Sequence, residues 1–118
     1  METNYFYKFY VLFPGSYRIN DIFNDNMDAY VVFKDDFSKV YFISLFTLEN
    51  IKQIMDLNRH TFFWSTNMLI IENLSKEMIY KSINEIIETD ILEFDHVFEF
   101  VGSYLEIFKS DLILQELL

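Results

Sequence analysis

Residues 40–51 read Val40-Tyr41-Phe42-Ile43-Ser44-Leu45-Phe46-Thr47-Leu48-Glu49-Asn50-Ile51. Up to Phe46, β-branched and aromatic residues dominate, the composition that suits a pleated, packed surface. Val40, Phe42, Ser44 and Phe46 alternate with Tyr41, Ile43 and Leu45, so both faces are apolar, as in a central strand covered on two sides. Thr47 then offers a hydroxyl that can cap a helix. Beyond it Leu48, Ile51, Ile54, Met55 and Asn58 recur by threes and fours to about Arg59, which leaves Lys52 and Gln53 toward water. A strand that runs straight into a capped helix puts the chain in a mixed class.

Working outward, Ala29 to Phe33 is the partner strand of a hairpin, joined through Lys34-Asp35-Asp36-Phe37-Ser38, a connection slightly longer than the tightest types. Tyr5 to Phe13 reads as a buried strand that stops at Pro14-Gly15. Ser16 to Asp28 mixes apolar residues with Asn20, Asn24 and Asn26, whose amides compete for backbone partners, and reads as a loop containing a short helical turn. Thr61 to Trp64 and Met68 to Glu72 are extended, with one strand starting at Met68.

Ser75 is a strong amino-terminal cap, and Leu74 before it can staple onto Ile79. The spacing predicts a helix from Lys76 to Thr89, with Ile79, Ile83, Ile86 and Ile87 on one side and Glu77, Lys81, Asn84 and Glu88 on the other. Glu77 and Glu85 flank Lys81 at helical spacing, so part of this charge is internally paired. After Gly102-Ser103 a terminal helix from Tyr104 toward Leu118 carries a wide apolar arc. The expected fold is α+β: one domain over residues 1–118, with a mainly antiparallel four- or five-stranded sheet and helices packed on it.

The length of 118 residues suits a single core, and a chain that is 52% hydrophobic and 19% aromatic has ample apolar surface to bury. There is no cysteine, which excludes a disulfide framework and a thiolate nucleophile. The two glycines, Gly15 and Gly102, form no phosphate-cradling loop. His60 and His96 are the only imidazoles available to a nucleophile–base pair, and a surface or half-buried position without chemistry is the simpler reading for both. Asp95-His96 with Glu93 and Glu99 lacks an ordered metal-ligand repeat. No catalytic residue, metal or cofactor is therefore expected. The apolar runs fall short of a membrane span and the amino end has no cationic stretch before an apolar run, so a cytoplasmic protein is expected.

Charge is the most uneven property. The formal net charge is -10, and residues 72–99 hold eight acids against two bases. Such a field concentrates and steers cationic partners, while nine scattered Lys and Arg argue against direct nucleic-acid binding. The expected partner-binding surface is Glu72, Glu77, Glu85, Glu88, Asp90, Glu93, Asp95 and Glu99, with Asp35 and Asp36 as a second patch and Trp64 and Tyr80 as aromatic anchors.

Phe62-Phe63-Trp64-Ser65-Thr66-Asn67-Met68-Leu69-Ile70-Ile71-Glu72-Asn73-Leu74-Ser75-Lys76-Glu77-Met78-Ile79, followed by Ile83-Asn84-Glu85-Ile86-Ile87, resembles the strand-cap-helix segment of small bacterial immunity proteins of contact-dependent growth inhibition and related polymorphic toxin systems. The strand-into-helix step at residues 40–51 is similar to theirs as well, and together the likeness covers roughly a third of the chain. The resemblance implies a non-enzymatic inhibitor that binds its cognate toxin domain, often a basic nuclease, and blocks or distorts the active site. It assigns no individual contact residue. Two other readings stay open: a DNA-mimic anti-restriction or anti-repressor protein, and a structural homo-oligomer, for instance a homodimer through the segment from Tyr104 to Leu118.

Overall fold

The computed structural model describes residues 7–14, 19, 21–89, 97–108 and 114–116. Six strands share one sheet: β1 (Phe9–Pro14), β2 (Asn26–Phe33), β3 (Asp36–Thr47), β4 (Met68–Ile71), β5 (Glu99–Gly102) and β6 (Leu114–Glu116). The helices among the described residues include α1 (Leu48–Asn58), α2 (Lys76–Thr89) and α3 (Tyr104–Phe108). Laterally the strands run β4-β3-β2-β1-β6, and β5 also pairs with β3. Every pairing is antiparallel except β3 with β4. The architecture is the expected mixed one with a mostly antiparallel sheet, but with six strands instead of four or five.

β3 is the spine. Twelve residues long, it gives one edge to β2 and shares the other between β4, opposite residues 44–47, and β5, opposite residues 40–42. Ile43 to Thr47 are all buried, as both-face hydrophobicity requires of an internal strand. The parallel β3/β4 pair demands a crossover, and α1 with the loop after it supplies one.

Tyr41, Ile43 and Leu45 of β3 face the same way as Met27, Ala29 and Val31 of β2 and Phe9 and Val11 of β1, because the antiparallel register sets them opposite one another. This face joins Leu74, Ile79, Tyr80 and Ile83 in one buried cluster, so α2 lies over it. Burying residues of this size stabilises the fold by about 1.5–3 kcal/mol each. Ser75 Oγ accepts from Met78 N–H at 3.2 Å, and the stapling pair Leu74 and Ile79 are both in the core.

α1 also starts where its cap predicts: Thr47 Oγ1 accepts from Asn50 N–H at 3.2 Å. It ends at Arg59, left-handed at φ 56°, with His60 N–H donating to Met55 O at 3.0 Å. Leu48, expected on its buried stripe, is 67% exposed. It is the first helical residue, hung off the end of the sheet.

Three further expectations are corrected. The hairpin turn is only Lys34-Asp35, since Phe33 pairs with Asp36, so the connection is of the tightest kind. Among the described residues between Ser16 and Asp28 a turn at Asp21 to Asn24 is closed by Asn24 N–H to Asp21 O at 3.0 Å, in keeping with the expected turn, but β2 has already begun by Asn26 instead of Ala29. No single helix runs from Tyr104 to Leu118: α3 has five residues, and Leu114–Glu116 is a strand on the outer edge of β1. An unfilled edge beside β1 outweighs the helical propensity of that short segment. Gly102 joins β5 to α3 at φ 134°, a conformation that side chains with a Cβ rarely adopt. Among the described residues no helix is long and apolar enough to cross a membrane.

Candidate functional site

The end of the sheet where β3 enters α1 carries an open cleft of about 420 Å³, lined by Phe23, Leu48, Glu49, Ile70, Ile71 and Glu72. Each wall has a local cause. Asp21 accepts from Phe23 N–H at 2.9 Å through its side chain, forming the turn that holds Phe23 outward. That turn is pinned on two sides, by Leu74 N–H to Ile22 O at 2.8 Å and by Thr47 N–H to Asp25 O at 3.3 Å. Leu48 and Glu49 stand in the first turn of α1. Ile70 lies on the alternating face of β4 opposite to the core, level with Phe46 of β3.

Behind the cleft, three amides lock the loop to the helix. Asn26 Nδ2 donates to Asn50 Oδ1 at 2.7 Å, and Asn50 Nδ2 donates to Asn24 Oδ1 at 3.2 Å. Asp25 N–H also donates to Thr47 Oγ1 at 3.3 Å. Asn50 is buried yet makes hydrogen bonds through both amide atoms, as a buried polar group must. These contacts make the rim of the cleft a fixed part of the fold.

The expected binding residues scatter across several surfaces. Glu77, Glu85 and Glu88 are exposed together on the outer face of α2, with exposed Lys81 among them. Glu72 is exposed at the end of β4 and belongs to the cleft. Glu99 is exposed on β5 opposite Phe42, which places it on the face of the sheet away from α2. Asp35 is exposed at the far hairpin. Asp36 beside it is engaged locally: Ser38 donates to it through both its hydroxyl and its backbone N–H. Those two bonds, the hydroxyl first, hold its carboxyl below the usual range, with Lys39 adding to the effect. Asp90, Glu93, Asp95 and His96 lie outside the described residues.

The two aromatic anchors part company. Trp64 is 72% exposed. Tyr80 is 0% exposed, so its expected role at the surface is corrected to one in the core. Its ring stacks against both Tyr7 and Phe9, at 5.3 and 5.4 Å, and its hydroxyl accepts from Val11 N–H at 3.0 Å. The sequence did carry a signal, since Tyr80, Ile83 and Ile87 share a stripe at three- and four-residue spacing. Nothing local marked Phe23, Leu48 and Ile70, because their exposure depends on which segments meet at the sheet's end.

Large apolar side chains in water extend beyond the cleft. Phe62 is exposed and its ring lies parallel to that of His60 at 5.7 Å, while Phe63 turns inward against Phe46 at 5.1 Å. Leu57 on the last turn of α1 is exposed as well. His60 is an exposed residue just past the end of α1. Among the described residues no three His, Asp or Glu gather where a metal ion could be held. On the far face of the sheet Tyr30 packs edge-on to Phe42 at 5.8 Å, and burial first, then Asp28, pushes its hydroxyl above the ordinary tyrosine value.

Comparison with known proteins finds no matching family model, no similar curated protein and no similar solved structure.

Proposed function

We propose that this chain is an immunity protein, an inhibitor without an activity of its own that binds a cognate basic toxin domain, a nuclease, and covers its active site. The observation that carries this reading is the exposure of large apolar groups on a strongly acidic chain. Large apolar groups, Trp64 above all, stay in solvent on a chain whose exposed α2 face bears Glu77, Glu85 and Glu88. Exposed apolar groups of this size mark interaction sites, binding energy concentrates in buried aromatics, and charges steer the encounter and choose its sign. A net charge of -10 matches a partner made cationic by its need to hold nucleic acid. With Glu99 and Asp35 away from α2, the described part of the expected acidic surface that carries this reading is Glu72 and the outer face of the helix.

The test is inhibition of a cognate nuclease domain, with a one-to-one complex isolated by gel filtration. The triple variant Glu77→Lys, Glu85→Lys, Glu88→Lys is expected to associate at least about tenfold more slowly at low salt. Trp64→Ala is expected to dissociate about thirtyfold faster, as loss of a hot spot does. Full nuclease activity in the presence of the purified chain overturns the proposal.

A further inference from the structure

We infer that the cleft between α1 and the end of β4 is the seat for one arginine side chain of the partner. This rests on the reading that the partner is a basic protein, and adds which of its groups is gripped and where. The floor is apolar and exposed, with Phe23 at 53%, Leu48 at 67% and Ile70 at 46%. Among the described residues the polar lining is two carboxylates from different elements, Glu49 of α1 and Glu72 after β4, and none of them that lines the cleft is a lysine or arginine. An apolar floor with an anionic rim matches a side chain that is aliphatic along its stem and cationic at its tip.

An anion is disfavoured here although a helix begins at this point. Thr47 already caps α1 by accepting from Asn50 N–H, and Glu49 occupies its first turn. Arginine fits better than lysine. Its planar guanidinium presents donors on two edges, so carboxylates arriving from two elements can both be met, and it sheds water more readily than an ammonium. The pinned turn at Asp21 to Asn24 and the amide lock on Asn50 keep the walls in place before the guest arrives, which lowers the ordering cost of binding.

The experiment needs no toxin, so its failure is separable from failure of the immunity reading. Acetyl-Leu-Arg-amide is titrated into the purified chain while nuclear magnetic resonance follows the methyl groups of Leu48 and Ile70 and the ring of Phe23. Saturable shifts confined to these groups are expected. The citrulline analogue, equal in shape and neutral, and the lysine analogue should both bind more weakly. Glu49→Gln with Glu72→Gln should weaken the arginine peptide about tenfold, near threefold for each exposed pair, whereas Asp56→Asn, at an exposed position near the other end of α1, should leave it unchanged. Circular dichroism checks that each variant is folded, and suppression of binding to the unaltered chain by added salt tests the same charge pairing without a variant. Equal binding of arginine and citrulline peptides overturns the assignment. So do shifts on α2 instead of the cleft, no shifts at all, or shifts that follow protein concentration without peptide, which mean that a second copy fills the cleft.

Discussion

Replacing Tyr80 by phenylalanine removes one oxygen from the middle of the core and keeps the ring. That oxygen accepts the Val11 N–H bond at 3.0 Å, between two residues that are both 0% exposed. Without it a buried backbone donor loses its acceptor, which costs about 1–3 kcal/mol. The stacking on Tyr7 and Phe9 survives, so no cavity contribution is added. With a urea m-value of about 1–3 kcal/mol/M, the unfolding midpoint should fall by roughly 1 M at an unchanged slope. Hydrogen exchange gives the local readout: the Val11 amide should lose protection more than the other amides of β1. Partner association should not change, since Tyr80 offers no surface. A midpoint shift under about 0.2 M together with a Val11 amide as protected as before would refute the reasoning, because a buried orphan donor cannot be that cheap.

Two further outcomes are expected. Thr47→Ala removes the acceptor for both Asn50 N–H and Asp25 N–H and should cost about 1–2 kcal/mol in urea unfolding, while Thr47→Ser keeps most of the stability; equal loss in both variants would mean that the hydroxyl is not the cause. Asp28→Asn should lower the raised pKa of Tyr30 without returning it to the ordinary value, because burial, the larger cause, remains. Since the folded value is raised, the stability held by neutral Tyr30 is complete below the ordinary tyrosine value of about 10 and is lost as pH climbs through the folded value. An ultraviolet titration of the two proteins reads this directly, and an unchanged or higher Tyr30 value in the variant contradicts it.

What was legible in the chain follows the range of the forces involved. Thr47 and Ser75 announced both long helices because a cap is a contact within one turn. The apolar alternation from Val40 to Phe46 gave away an internal strand for the same reason: the period belongs to the segment itself. The strand starting at Met68 was legible, but its parallel pairing with β3 and the strand β6 were hidden, since these pairings join positions distant along the chain and leave no local mark. The site divides in the same manner. Acid content could be counted, but Glu99 went to one face of the sheet and Glu77 to another helix because topology, not composition, chose the sides. Trp64 and Tyr80 look alike as aromatics near acids, and only the packing of α2 over β1 separates the buried ring from the exposed one.

β1 acquires its second neighbour from residues about a hundred positions later, when Leu114–Glu116 docks opposite Leu12, Phe13 and Pro14. During translation the strand therefore emerges early and waits with that side bare until the ribosome has delivered the rest. A bare strand side rich in aromatics invites capture by neighbouring nascent chains. Pro14 sits at its end and has no N–H to give, so one rung of that exposed ladder is blunted from the start.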